Sequence, residues 1–293
     1  MIKLTENVMR LGNRHFNFFV VGQKEAAIVE CGVTGGVTSL SKQWLQMEGK
    51  PAIRYLITSH AHFDHVCGIP ALRDLYPQAQ VLASKEAQKV LSKTKIINNF
   101  FQQDEKMSAV LLAEGLVADK ITSPSIEAIV VDQTLEEGDS IDLRDGLRLQ
   151  VIASPGHSPC SLAYYFPTDQ VMFLSDAGGF QISDEDLFPV FFQGYEMYIE
   201  TIKRLMGFPT RILGIAHERL CVKSEIESFY MRALESARSA FRNIETMLNN
   251  GMNEDEMKQV LFSTYYQGNL RIYTPENINA CIELLIRRVK ESL

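Results

Sequence analysis

The sequence contains no run of Lys or Arg longer than two, and its net charge is −7. Proteins that bind nucleic acid neutralise phosphates with a basic patch, so that footprint is missing and no nucleic-acid partner is expected. No window approaches the ~20 consecutive apolar residues that cross a bilayer, so no membrane is expected either. The opening stretch MIKLTENVMRLGNRH has neither the basic start nor the apolar core of a secretory signal. Cysteine is sparse and odd in number: Cys31, Cys67, Cys160, Cys221 and Cys281 lie far apart with no CxxC spacing. That excludes a disulfide framework and leaves reduced thiols in a cytoplasmic protein as the simplest reading. Internal repeats and low-complexity linkers are absent as well.

What remains is an ordinary globular composition, 46% apolar and 22% charged, enough for a sizeable core. The runs FNFFVVG (16–22), EAAIVECG (25–32), RYLIT (54–58) and VLAS (81–84) read as buried strands. VTSLSKQWLQME between them has Leu40, Trp44 and Leu45 at helical spacing. This alternation predicts an α/β architecture. Residues 86–127 read as helical, 126–154 as strands, and 162–176 as a hairpin around Pro167-Thr168-Asp169. Beyond Leu220 the pattern changes. Ile226, Phe229, Ala233, Ala237, Phe241, Ile244 and Leu248 mark one face of a long helix, with Gly251 as its stop. Asn253 with Glu256 predicts a capping box, and Thr274-Pro275 opens a last helix. The expected division is a catalytic domain over 1–221 and a helical cap over 222–293.

The chemistry concentrates in Ser59-His60-Ala61-His62-Phe63-Asp64-His65, directly after a predicted strand. In extended chain, residues two apart point the same way, so His60 and His62 converge on one cation. Asp64 and His65, on the following bend, reach a second cation beside it. Imidazole and carboxylate suit Zn, Fe or Mn, and the missing thiolate argues against a structural zinc finger. His157, Asp176 and His217 each stand at the C-terminal tip of a predicted strand, where open α/β sheets place their sites. Of six histidines only His15 lies outside this set, and it reads as structural or surface.

At these seven positions the sequence resembles the metallo-β-lactamase superfamily, whose mark is His-x-His-x-Asp-His followed by a distal His, Asp and His. The resemblance implies an αβ/βα four-layer sandwich extended by C-terminal helices. It implies that His60, His62 and His157 hold a first metal, that Asp64, His65 and His217 hold a second, and that Asp176 bridges them. The cofactors would be two divalent transition-metal ions, Zn or Fe with Mn as a further choice. Asp64 and Asp176 would be the catalytic carboxylates. The true β-lactamases usually carry cysteine where Asp176 stands, which directs the resemblance to the glyoxalase II, lactonase and phosphodiesterase branches. WLQMEGKPAIRYLITSHAHFDHVCGIPAL, YEMYIETIKRL and the three tail helices look like the quinolone-signal response thioesterases of this superfamily. Gly179-Phe180 and Leu270-Arg271-Ile272 depart from that branch with fewer polar side chains.

The activity so implied is metal-dependent hydrolysis of a small acyl thioester or related ester by a hydroxide shared between two ions, which lower the pKa of its parent water to ~7. Phe180, Phe188, Phe191 and Phe192 either line an apolar acyl pocket or belong to the core. Tyr195 or Tyr198 either donates a proton to a lactone leaving group or forms part of a helix face. Cys67 reads as a small buried residue under the metal loop. Other readings stay open at this point: a phosphodiesterase or lactonase on the same site, a mononuclear-iron sulfur dioxygenase, or a regulatory protein whose hydrolysis is incidental. A homodimer through the tail is a further open alternative.

Overall fold

The structure, a computed structural model, describes residues 1–122, 124–218 and 220–293. The strands are β1 (Ile2–Lys3), β2 (Val8–Gly12), β3 (Asn17–Gly22), β4 (Glu25–Val29), β5 (Ala52–Ile57), β6 (Gln80–Ser84), β7 (Gln133–Leu135), β8 (Ser140–Asp142), β9 (Arg148–Ala153), β10 (Leu162–Phe166), β11 (Val171–Phe173), β12 (Phe180–Gln181), β13 (Leu187–Phe188), β14 (Ile212–Gly214) and β15 (Cys221–Val222). The helices are α1 (Thr34–Gln46), α2 (Phe63–Val66), α3 (Ile69–Leu75), α4 (Lys85–Leu91), α5 (Thr94–Ala113), α6 (Tyr195–Met206), α7 (Ser224–Asn249), α8 (Glu254–Tyr265) and α9 (Pro275–Ser292). No described helix is long and apolar enough to cross a membrane.

The chain forms two compact units. Unit one comprises Met1–Ala153, Cys160–Ser175 and Arg211–Leu220. It holds a sheet ordered β1-β2-β3-β4-β5-β6-β7, antiparallel as far as β4 and parallel beyond. A second sheet runs β14-β11-β10-β9-β8, with only β11 and β14 parallel. Their shared core shows the period of two that a strand imposes. Phe19 and Val21 of β3 and Ala27 and Val29 of β4 belong to the same cluster as Leu162, Tyr164 and Phe166 of β10 and Val171 and Phe173 of β11. The intervening residues of β3 and β4, Phe18, Val20 and Ile28, are equally buried, which is why both runs are apolar throughout. Helix α1 packs on β2, and α4 on β6 and β7. This is the expected α/β sandwich.

Unit two comprises Ser154–Pro159, Asp176–Thr210 and Cys221–Leu293. Its centre is α7, in contact with α6, α9 and β13. Ile226, Phe229, Ala233, Ala237, Ala240 and Ile244 of α7 are buried, together with Ile278, Ile282, Leu285 and Val289 of α9. The capping box at Asn253 forms, with Glu256 N–H donating to the Asn253 side chain at 3.0 Å and the Glu256 carboxylate accepting from Asn253 N–H at 3.1 Å. Thr274 caps α9 ahead of Pro275, as its sequence predicts.

Two expectations need correction. The region 86–127 is not helical throughout: it is α4 and α5, and the chain leaves the helix after Ala113. Gly115 has φ +71, Leu116 N–H donates to the Leu111 carbonyl at 2.9 Å, and Gly115 N–H donates to Leu112 at 3.0 Å. These paired bonds close a helix C-terminus on a left-handed glycine, a stop encoded in Ala113-Glu114-Gly115-Leu116. Within that span Ser123 lies outside the described residues. Asp64 and His65 sit not on an irregular bend but on the single helical turn α2.

Asp104 of α5 is fully buried and caps α1 by accepting from Thr34 N–H at 2.8 Å. Its second oxygen has no hydrogen-bond partner among the described residues. Burial, against the lowering effect of Thr34, pushes its pKa from 3.8 to about 6. A carboxyl whose folded pKa exceeds its unfolded one costs stability once it ionises, so stability falls as pH rises between those two values. The accumulated loss by neutral pH is about 3 kcal/mol. Asp104→Asn keeps the cap acceptor and removes the charge. Urea unfolding at pH 4.5 and 7.5 checks this: relative to the variant, the wild type loses stability at the higher pH, and parallel pH dependences would refute it.

Candidate metal centre

Unit one positions five of the seven ligand candidates: His60, His62, Asp64, His65 and His217. The segment after β5 is pinned before it reaches the first of them. Tyr164, in the sandwich core, donates its hydroxyl proton to the Thr58 carbonyl at 2.9 Å. The Thr58 hydroxyl reaches the His60 and His65 carbonyls at 3.0 and 3.1 Å, so one side chain fixes both ends of the motif. Leu162 N–H donates to the Ser59 carbonyl at 2.8 Å. Behind α2, Gly68 N–H donates to Gly32 at 2.9 Å, and a Cβ at Gly68 would stand 2.1 Å from the Cys31 carbonyl oxygen. Only glycine allows α2 to approach the end of β4 this closely.

That approach matters because Glu30 follows β4. It is buried, has φ +71, and its carboxylate accepts from His65 Nδ1–H at 2.8 Å. A carboxylate can only accept, so Nδ1 carries a proton and, in the neutral ring, Nε2 carries the lone pair. The same logic fixes His217, whose Nδ1–H donates to the His15 carbonyl at 3.1 Å. The two Nε2 atoms then face each other at 3.3 Å. Asp64 Oδ2 joins them, 3.5 Å from His217 Nε2 and 3.8 Å from His65 Nε2. Three buried metal-ligating atoms thus converge on one place. Two imidazoles and a carboxylate fit a divalent transition metal. Within the same unit, His60 Nε2 lies 3.0 Å from His62 Nδ1. The His60 Nδ1 contacts the Ser59 hydroxyl at 3.1 Å, which in turn is 2.6 Å from that of Ser175.

Unit two holds the other two candidates. His157 Nδ1–H donates to the Val190 carbonyl at 2.9 Å, and its Nε2 lies 3.4 Å from Asp176 Oδ2. The turn bearing His157 lies against α6: Gly156 has φ +116, and a Cβ there would meet the Tyr198 Cα at 2.4 Å. Thr201 donates its hydroxyl proton to the Pro155 carbonyl at 2.7 Å. Asp176 lies on a 3-10 turn, Ser175–Gly178, rather than at the end of β11 itself.

The aromatic candidates all belong to unit two. Phe192, half-buried, has its ring 5.2 Å from that of His157, and Phe188 lies 6.3 Å from Phe192. Phe180 meets Tyr273 at 5.3 Å, and Phe188 meets Tyr265 at 5.0 Å. Phe191 is fully buried against Tyr195 and Tyr198, and Tyr195 lies 4.3 Å from Phe241 of α7. Tyr198 is buried and its hydroxyl has no hydrogen-bond partner among the described residues. Burial, and then the charge of Asp176, raise that phenol well above its ordinary pKa. Burial does the same to the Cys67 thiol, in keeping with a packing role.

Sequence reasoning missed Glu30, although a carboxylate inside EAAIVECG is an anomaly in an otherwise apolar run. It also missed what surrounds His15, which is buried between Glu114 and Glu218. Burial lowers the His15 pKa, but the hydrogen bonds and charges of Glu218 and Glu114 outweigh it, and the net shift is upward.

Glu30→Gln keeps the volume and removes the charge behind His65. Outer-shell carboxylates of this kind contribute about 10–100-fold to metal affinity. Titration of the purified variant with zinc against a chromophoric chelator is therefore expected to show one ion weakened by that factor. Unaltered zinc affinity would show that Glu30 does not support the ligand.

A model of the metallo-beta-lactamase superfamily matches residues 12–217. The chain is 23% identical over 245 residues to a metallo-beta-lactamase fold-containing protein of Sulfurisphaera tokodaii, covering 78% of this chain and 81% of that one. Over 121 residues it is 30% identical to a hydroxyacylglutathione hydrolase of Mesorhizobium japonicum, 41% of this chain and 32% of that one. Among solved structures, a metallo-beta-lactamase family protein of Thermus thermophilus superposes with a TM-score of 0.66 at 13% identity, covering 97% of this chain and 94% of the other. The Sulfolobus tokodaii protein gives 0.59 at 20% identity, over 98% and 99%. The motif, the facing acceptors and these matches agree: the chain belongs to the metallo-beta-lactamase superfamily.

Proposed function

We propose that this chain is a hydrolase that binds two divalent transition-metal ions and cleaves a small acyl thioester. One ion is assigned to His60, His62, His157 and Asp176, and the other to Asp64, His65 and His217; that Asp176 is shared is what the resemblance to the superfamily implies. The observation that carries the reading is the convergence of Asp64 Oδ2 and the two Nε2 atoms in a buried place. Such ions, when bound, polarise a carbonyl and lower the pKa of water enough to make a nucleophile at neutral pH.

The chain's own residues do the rest. Glu30 and the His15 carbonyl hold the proton on Nδ1 of His65 and His217, so that Nε2 is the coordinating atom in each. Val190 does the same for His157. Asp64 Oδ2 accepts a hydrogen bond from the attacking water and aims it. Tyr198, its pKa raised by burial and by the charge of Asp176, keeps its proton and is a poor general acid.

That last point favours thioesters. A thiolate, whose parent thiol has a pKa of ~8.5, departs without a proton donor, whereas an alkoxide needs one. The similarity to a hydroxyacylglutathione hydrolase supports the same class, because a hydroxyacylglutathione is a thioester. Phe180, Phe188, Phe191, Phe192 and Tyr195 are assigned to the acyl side, with Phe192, beside His157, the foremost. The five cysteines are few and scattered with no CxxC spacing, as in proteins of a reducing compartment, and we assign the protein to the cytoplasm.

Elemental analysis of purified protein, run beside a panel of thioesters, lactones and bis-p-nitrophenyl phosphate, tests the proposal. Two ions per chain and chelator-sensitive thioester turnover are expected, with Asp176→Asn lowering kcat about 100-fold or more. Turnover of the phosphodiester alone would reject the thioester assignment, and a chain that takes up no ion would reject the whole reading.

A further inference from the structure

The residue left over by the motif has the most elaborate surroundings in unit one. His15 lies in the connection between β2 and β3, its ring almost wholly buried. Glu218 Oε1 stands 2.8 Å from Nδ1 and Glu114 Oε2 stands 2.8 Å from Nε2. Carboxylates therefore hold the ring at both of its nitrogens, and Arg14 Nε approaches Nε2 as well, at 3.1 Å. Arg14 grips the far side of the clamp, 2.7 Å from Glu114. Glu114 ends α5, and Glu218 is the residue after His217.

The attachment to residues 217 and 218 is made at two points. The His15 ring holds the Glu218 side chain, and the His15 carbonyl accepts from His217 Nδ1–H at 3.1 Å. Neither point can slide, because Asn13 Oδ1 accepts from the backbone N–H of both His15 and Phe16, at 2.9 and 3.0 Å. Asn17 adds a parallel tie: its N–H donates to the Ala216 carbonyl at 2.8 Å and its side chain to that of Ile215 at 2.7 Å. Glu218 itself has φ +59, a conformation that a non-glycine residue keeps only when its neighbours impose it. A surface ion pair would need none of this.

We propose that His15 is a positioning residue for His217, and that the Glu114–His15–Glu218 clamp sets the orientation in which His217 Nε2 meets its ion. The inference rests on the reading of His217 as a metal ligand. It says which side chains outside the ligand set govern one of the two ions and leave the other alone.

The test uses the full chain loaded with zinc, and in parallel with cobalt(II), as wild type, His15→Phe and Glu218→Gln. Phe fills the ring's volume without an N–H. Gln keeps the shape of Glu218 without its charge, and so covers the case in which His15→Phe fails to fold. Release of each ion to a chelator is expected to be biphasic, with one phase faster by about tenfold or more in both variants and the other phase unchanged. In the cobalt protein the shifted N–H proton signal of His217 moves, while that of His65, held by Glu30, stays in place. Wild-type protein with two ions and unchanged release of both from the variants overturns this inference alone. Equal weakening of both ions makes the clamp a general support of the fold and overturns it too. Wild-type protein that binds no ion overturns the metal reading, and this inference falls with it.

Discussion

Acceptors that face acceptors are the constraint on which the rest of this structure depends. A buried lone pair normally finds a proton, and leaving one unsatisfied costs more than a surface hydrogen bond returns. Here His65 Nε2, His217 Nε2 and Asp64 Oδ2 are brought within 3.8 Å of one another. Each imidazole commits its Nδ1 proton elsewhere, to Glu30 or to the His15 carbonyl, which leaves Nε2 of the neutral ring to face the others. An arrangement of this kind, with two imidazoles and a carboxylate converging in a buried place, suits a divalent cation. The family match then says which chemistry such a place belongs to.

Holding three such groups together needs a rigid support, and the two sheets of unit one supply it. Tyr164 belongs to the shared core and also donates to Thr58, whose hydroxyl fixes both ends of the His-x-His-x-Asp-His segment. Packing of the sandwich is thereby transmitted to the ligands through one residue. Gly68 brings α2 against the end of β4, where Glu30 stands ready behind His65. The core thus does more than stabilise the chain. It fixes the backbone that carries the candidate ligands, the kind of support that a metal site needs.

How much of this could be read beforehand follows the range of each interaction. The motif was legible because its residues are adjacent and its signal depends on spacing alone. The strands were legible as short apolar runs and the tail helices in their periodicity and caps, whereas the pairing of two sheets came only from the family resemblance. The end of α5 was equally local, spelled out by Gly115, and was overlooked because apolar residues continue past it. Glu30 was half legible: a carboxylate inside a buried strand announces a partner without naming it. The clamp on His15 could not be read, since its carboxylates lie 99 and 203 residues away. Nothing in their local sequence distinguishes Glu114 or Glu218 from any surface glutamate.

The ligands also differ in what stands behind them, and this has a chemical consequence. Of the three imidazoles whose tautomer is fixed by an acceptor, His65 alone is backed by a carboxylate, while His217 and His157 are backed by backbone carbonyls. A carboxylate behind the ring raises the basicity of the opposite nitrogen more than a neutral carbonyl does. On the proposed ligand set, His65 would therefore be the strongest imidazole donor of the three, and it stands beside the carboxylate of Asp64. His217, in the same triad, gains its precision from the clamped His15 rather than from charge. One ligand is made strong and its neighbour is made exact, a division of labour that a list of ligands does not reveal.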